Sequence, residues 1–292
     1  MSGENAKSHG CPSGGGSCSG ASGHGAAAGI QDRMIENSLS HIRNKLLVMS
    51  GKGGVGKSSI AANLAVTLAR RGRKTGLLDV DLHGPTIATI MGIREMLDVS
   101  PENLIKPWIF GENLKVVSIQ ALMPDADAAV IWRGPAKHGV IRQFVADVLW
   151  GDLDYLVIDS PPGTGDEPLS VAQLVTDARA VIVATPQEVA LADVRKSINF
   201  CRKVGLTIAG IVENMGAFPC PHCGEAVSLF PSGTTEAMAK KMGIPFLGSI
   251  PFDPVVVKAS DQGIPVADLF TGSPFVEAMN RITDRLMEGA RE

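Results

Sequence analysis

The sequence is poor in aromatic residues, with one Tyr, three Trp and nine Phe among 292. That is too few for the stacking platforms that hold single-stranded nucleic acids. It also lacks a basic excess: 27 Lys and Arg against 30 Asp and Glu leave a net charge of −3, which argues against a nucleic-acid partner. No apolar run reaches the ~20 residues that span a bilayer, and no apolar stretch opens the chain as in a secretory leader. These absences predict a cytoplasmic protein with neither a nucleic-acid nor a membrane partner. Cysteine is scarce, at positions 11, 18, 201, 220 and 223. In a reducing cytoplasm, paired thiols bind metal or do redox chemistry more often than they form structural disulfides.

What is present is an ordinary globular composition, 45% hydrophobic and 20% charged, with length for one large domain or two small ones. Residues 1–29 stand apart. They hold nine of the 33 Gly and six Ser, and Met1 is their only large apolar residue. Such a segment cannot bury enough surface to offset its ordering entropy and is expected to be a disordered tail. An amphipathic helix over Ile30–Ile42 then leads into a domain at 30–292.

In that domain short apolar runs alternate with helical patterns. Strands are predicted at Lys45–Met49, Thr75–Asp79, Lys115–Ile119, Tyr155–Asp159, Ala180–Ala184, Ile208–Glu213 and Phe246–Ile250. Helices are predicted at Lys57–Arg71, Lys137–Leu149, Glu167–Leu174, Leu191–Lys203, Thr235–Met242 and Pro274–Met287. Several strands are almost continuously apolar, the pattern of strands buried on both faces. The prediction is an α/β fold, a doubly wound, mostly parallel sheet with helices on both faces. Ligands of such sheets bind at the carboxyl ends of the strands.

The first strand ends in Gly51-Lys52-Gly53-Gly54-Val55-Gly56-Lys57-Ser58-Ser59, which contains G-x-x-x-x-G-K-S between a strand and a helix. Its glycines let the backbone curl and point N–H groups at phosphates, and the helix N-terminus adds positive charge. Lys57 is placed to neutralise the β- and γ-phosphates of ATP, and the Ser58 hydroxyl to ligate Mg²⁺. Lys52 has two readings: a surface charge, or a lysine that reaches a nucleotide held by a second subunit.

Carboxylates close two more strands, Asp79 with Asp81, and Asp159 before Ser160-Pro161-Pro162-Gly163-Thr164-Gly165-Asp166. Nucleotide hydrolysis needs a carboxylate near Mg²⁺ and a group that orients water. Asp159 fits the metal side, and the Pro-Pro-Gly segment fits a switch loop. Asp79 and Asp166 are read equally well as turn formers or helix caps.

Together, K-G-G-V-G-K-S with two lysines, Asp79-Val80-Asp81 and D-x-P-P-G-T-G-D resemble the deviant Walker A ATPases, the class of MinD and ParA. Asp-Leu-His-Gly-Pro-Thr at 81–86, Trp-Arg-Gly-Pro at 132–135 and Cys-Pro-His-Cys at 220–223 resemble more narrowly the Mrp/ApbC branch of iron–sulfur cluster carriers and scaffolds. The resemblance covers roughly residues 40–292. It implies a weak ATPase in which Lys52 crosses a homodimer and Asp81 positions the hydrolytic water. Val-Glu-Asn-Met at 212–215 implies that Asn214 contacts adenine, and Ile-Pro-Phe-Asp at 250–253 that Pro251 and Asp253 line the base pocket. It implies iron–sulfur apoproteins or assembly factors as partners. Two departures stand out: Ala136 where Met is usual, and a tail with only Cys11 and Cys18 where some members carry four cysteines.

Cys220 and Cys223, three positions apart, can grip one soft metal between them. A [4Fe–4S] cluster usually takes four cysteines, so two chains would supply the set across a two-fold axis. A zinc ion shared in the same way and a redox pair are the alternatives. Cys11 and Cys18 are candidate ligands of a transient cluster or metal, or thiols without function. Cys201 is expected in the core, His222 in solvent, and His83 and His138 in structural roles. A MinD/ParA-like organiser and an electron-transfer ATPase are the rival functions. The last helix has an apolar face of Phe275, Met279, Ile282 and Leu286 with no basic excess, expected to pack on the sheet rather than on a membrane.

Overall fold

The computed structural model describes residues 23–290 other than 82–83, 103, 123–133, 221, 224, 229 and 231–232. Cys11, Cys18, His83, Trp132 and Arg133 lie outside the described residues. The chain enters through α1 (Gly23–Ser40) and runs into β1 (Ile42–Ser50), α2 (Lys57–Arg70), β2 (Thr75–Asp79) and the short α3 (Ile87–Ile90). Next come β3 (Trp108–Phe110), β4 (Leu114–Ser118), a 3-10 turn at Ile119–Leu122, α4 (Gly134–Ala146) and β5 (Leu153–Asp159). They are followed by α5 (Asp166–Leu174), β6 (Arg179–Ala184), α6 (Glu188–Val204) and β7 (Thr207–Glu213). The last third holds β8 (Phe218–Pro219), β9 (Ala226–Val227), α7 (Thr234–Met242), β10 (Phe246–Ser249), α8 (Val255–Gln262), α9 (Val266–Leu269) and α10 (Pro274–Glu288).

Among the described residues one sheet has eight strands in the order β10-β7-β6-β1-β5-β2-β4-β3. Every pairing in it is parallel except β3 with β4. Helices cover both faces, as expected for a doubly wound sheet. The central strands are buried in their apolar cores: Leu46, Leu47 and Val48 on β1 and Leu156, Val157 and Ile158 on β5 are inaccessible to solvent. The strand order reverses beside β1, so the loop after β1 opens at the switch point, where doubly wound sheets bind ligands.

α2 departs from the usual one-sided helix. Ile60, Ala61, Leu64, Ala65 and Leu68 are buried, and so are Asn63 and Thr67 between them. The helix lies between the sheet and α10, with α3 and α9 beside it, so both of its sides are covered. Its polar pair bonds back along the helix: Thr67 Oγ1 donates to Asn63 O at 2.6 Å, and Asn63 Nδ2 to Ser59 O at 2.8 Å, while Asn63 Oδ1 is buried without a partner. α10 begins at Pro274 after Ser273, whose Oγ caps the N–H of Val276 at 3.3 Å. Its apolar face, with Phe275, Met279, Ile282 and Leu286, is buried against α2 and β10.

The boundaries differ from expectation at the N-terminal end. Ile42 was expected to end a helix and instead opens β1, opposite Leu153 of β5. Being central, β1 gains partners along its polar first half, which local pattern does not show. The first helix starts at Gly23, so it crosses the expected tail boundary, and its Ile35 and Leu39 are buried. Burial of such side chains is worth about 1.5–3 kcal/mol each. β3, α8 and the β8–β9 hairpin were not predicted; each has eight or fewer residues, too short for a clear period.

Candidate functional site

The loop after β1 is built by its glycines. Gly54 and Gly56 hold φ of 77° and 81°, the left-handed region that side chains avoid. Gly51 packs against α6 so closely that a Cβ would lie 2.5 Å from the Asp193 carbonyl carbon. The loop is also strapped to the next strand's loop, because Gly163 N–H donates to Ser50 O at 2.8 Å. Ser50, Gly53, Gly54, Lys57 and Ser58 line a cavity of about 460 Å³, together with Asp81 and Pro162.

Lys57 is buried at the start of α2. Its Nζ lies 2.7 Å from Asp159 Oδ1, 3.8 Å from Asp81 Oδ2 and 3.4 Å from Ser58 Oγ. Asp159 is at the end of β5, and its Oδ2 is buried without a protein hydrogen-bond partner. Burial pushes the Asp159 carboxyl up; the charge and hydrogen bond of Lys57 oppose this. The Ser58 hydroxyl and the orphaned Asp159 carboxylate oxygen are the hard-oxygen donors Mg²⁺ prefers.

The two doubtful carboxylates separate. Asp79 stands opposite Asp159 in the parallel register of β2 and β5, wholly buried. It accepts from the N–H groups of Asp81 (3.1 Å) and Ile87 (3.3 Å) and from the Ser118 hydroxyl (2.9 Å), so it ties down the loop that carries Asp81. Burial first, then the charge of Asp159, raises its pKa to about 8. Asp166 opens α5, the position of a helix-start carboxylate.

Lys52 lies within its own chain's reach of α6, with Nζ donating to Gln187 Oε1 at 3.4 Å. Gln187 precedes α6, also accepts from Thr185, and carried no sequence signal.

A second cavity of about 270 Å³ continues from the first, sharing Gly56 and Ser59 with it. Asn214, Met215, Pro251, Phe252 and Asp253 line it. Asn214 Nδ2 donates to Val55 O at 2.9 Å, which joins the end of β7 to the glycine loop. Asp253 Oδ1 accepts from Val255 N–H at 3.1 Å, while Oδ2 is buried without a partner. The structure thus brings Asn214, Pro251 and Asp253 together beside the loop. Met215, Phe252 and the α8 residues Ser260 and Asp261 join them unpredicted. Met215 and Phe252 sit inside the quoted motifs, but only the folded chain shows which way they point.

Cys220 and Cys223 sit on the turn of the β8–β9 hairpin, where Cys220 N–H donates to Glu225 O at 2.8 Å. Both are free, Cys220 half-buried and Cys223 exposed. The backbone N–H of Cys223, then that of His222, and the Cys223 thiol hold the Cys220 thiol below its ordinary range. His222 is exposed. The turn opens no helix, unlike the setting of a redox C-x-x-C. Among the described residues no group of three or more His, Cys, Asp or Glu side chains is placed to hold a metal, so one hairpin offers a pair of thiols. Cys201 is inaccessible against Met49, and burial pushes its thiol up to about 11. His138 Nδ1 lies 3.0 Å from Ser170 Oγ, a structural pairing.

A glycine loop between a central parallel strand and a helix, with carboxylates at neighbouring strand ends and a groove leading to a base-sized cavity, defines a P-loop nucleotide-binding protein. Residues 41–287 match the family model described as ParA: NUBPL iron-transfer P-loop NTPase, and the chain belongs to this family. It is 44% identical over 265 residues to the iron-sulfur cluster carrier protein of Methanocaldococcus jannaschii, covering 90% of this chain and 91% of the relative. It is 42% identical over 255 residues to the human cytosolic Fe-S cluster assembly factor NUBP2, covering 86% and 94%. Among solved structures it resembles a nucleotide-binding protein of Archaeoglobus fulgidus in complex with ADP, at 41% identity and TM-score 0.73, covering 84% of this chain and 96% of that one. The cell-division ATPase MinD of Pyrococcus furiosus, at 24% identity and TM-score 0.64 over 84% and 99%, shares the fold.

Proposed function

We propose that this chain is an ATP-hydrolysing carrier that holds a [4Fe–4S] cluster as cargo between two copies of itself and passes it to apoproteins in the cytoplasm. The observation that carries this is the thiol hairpin's place in the chain: Asn214, which lines the second cavity, directly follows β7, and Cys220 follows six residues later. Two thiols per hairpin make half the usual ligand set, and a two-fold dimer completes it. The family and the names of the relatives support the cargo. Residues 30–292 act as the ATPase domain, and Cys11 and Cys18 in the tail as secondary thiols.

The geometry supports the following hydrolytic roles. Lys57 and the N–H groups of the loop neutralise the β- and γ-phosphates. Ser58 and the orphaned Asp159 oxygen would hold a Mg²⁺, which would supply positive charge against that of the phosphates. Asp81 orients a water for attack on the γ-phosphorus; the bond to the β–γ bridging oxygen breaks, giving ADP and phosphate. Lys52 leaves Gln187 on dimerisation and reaches the partner's nucleotide. Asn214, Pro251 and Asp253 hold the adenine.

The test is iron and sulfide analysis, with an absorption spectrum, on anaerobically reconstituted protein. About four irons per two chains are expected, lost in Cys220→Ser and in Cys223→Ser. Zinc bound with no iron would replace the cluster by a zinc bridge and sink the carrier function.

A further inference from the structure

The base-end cavity and the thiol hairpin meet through an aromatic pair. Phe252 lines the cavity between Pro251 and Asp253 and meets Phe218 edge-on, with ring centroids 6.2 Å apart and planes at 62°. Phe218 pairs with Val227 in the hairpin and stands two residues before Cys220.

The covalent route between the two places is equally short. Met215 lines the cavity and holds φ 58°, left-handed backbone that a non-glycine residue adopts only under constraint. Gly216 N–H then donates to Ile250 O at 2.9 Å, and a Cβ on Gly216 would lie 2.4 Å from Ser249 Oγ. This pins the start of the hairpin segment to the strand end that leads into Pro251 and Phe252. Past the pin, the hairpin is a pair of two-residue strands, too short to be rigid alone. Its place is therefore set by what its side chains touch, and Phe218 touches Phe252.

We infer that Phe218 is a positioning residue that, through its edge-on contact with Phe252, links occupancy of the base cavity to the placement of the Cys220 sulfur. A purine seated in this cavity meets the same Phe252 ring that Phe218 contacts edge-on. The ring's two environments then differ with the hairpin's position, which is the differential contact a ligand needs to shift an equilibrium. By reciprocity, whatever fixes the hairpin alters nucleotide affinity by the same factor. The inference rests on the assignment of this cavity to the nucleotide base; it does not depend on which metal the thiols carry.

The test uses the full apo chain. Alkylation of Cys220 by iodoacetamide is followed by peptide mass spectrometry with and without saturating ADP, and ADP affinity is measured by calorimetry on each variant. In the wild type ADP is expected to change the Cys220 rate at least ~5-fold. In Phe218→Leu, which keeps apolar bulk but loses the ring, the change should fall below about twofold with ADP still bound, and Phe218→Tyr should restore it. Buried Cys201 reports folding by staying unreactive. If Phe218→Leu exposes it, Phe252→Leu, read at its own saturating ADP, takes its place with the same expectation. ADP binding with no rate change in the wild type, or a full change in the leucine variant, overturns the inference. Absence of ADP binding overturns the nucleotide assignment itself and this inference with it.

Discussion

The ammonium of Lys57 and the carboxylate of Asp159 lie 2.7 Å apart, the lysine at the start of α2 and the aspartate at the end of β5, both buried. They are 102 residues apart in the chain and meet because β1 and β5 are neighbours in the sheet. A buried pair of this kind serves two ends, holding the lysine of the glycine loop in place and neutralising a carboxylate that would otherwise be costly to bury.

Lys57→Met therefore acts on stability as well as on chemistry. Removing one partner of a buried pair costs about 3–5 kcal/mol, less what Asp159 recovers by taking up a proton. The urea midpoint should fall, and ATP hydrolysis should drop below detection as the phosphates lose their fixed charge. Wild-type turnover in this variant would remove Lys57 from the site.

Gly56→Ala meets two obstacles. The residue holds φ 81°, which costs an alanine about 1–2 kcal/mol. Its Cβ would also lie 2.3 Å from Asn214 Nδ2, the atom that donates to Val55 O. ADP affinity by calorimetry should fall at least ~10-fold, with a matching loss in the ADP-induced rise of Tm. Unchanged affinity would show that the Asn214 contact does not shape the base cavity.

Lys52 is tested in trans. Lys52→Ala chains and Asp81→Asn chains are each expected to be inactive as homodimers. In a mixed dimer one site has an intact Asp81 and its partner's intact Lys52, and the other has neither. Partial recovery of phosphate release, up to about half per mixed dimer, follows from a crossing lysine. No recovery in proven heterodimers would leave Lys52 acting in its own subunit, beside Gln187.

Cys201 sets a pH limit. Its pKa is pushed to about 11 from 9.0 by burial, so the folded state favours the protonated thiol. That contribution is complete below about pH 9 and is lost as pH rises through 11. Cys201→Ala should flatten the fall in Tm over this window. Native alkylation at pH 8 should label Cys220 and Cys223 and spare Cys201 until urea unfolds the chain. Rapid native labelling of Cys201 would contradict its place in the core.

The sequence by itself determined the parts whose chemistry is local. The run Gly51–Ser59 requires glycines at fixed offsets, the strands buried on both faces are written as continuous apolar runs, and the paired thiols stand three positions apart. These are short-range constraints, and each was legible without the fold. The tertiary structure decided what depends on which strands are neighbours. It placed β5 between β1 and β2, and so gave Asp159 to Lys57 and left Asp79 as a buried anchor for the Asp81 loop. It drew Ile42 out of a helix and into β1, because a central strand gains partners that local pattern cannot show. It set Phe252 against Phe218 and turned Met215 into the second cavity, contacts between segments whose sequences carry no record of one another. Motif chemistry is fixed by spacing along the chain, whereas pairing across the sheet is fixed by the burial of every strand at once, and only the folded molecule satisfies that condition.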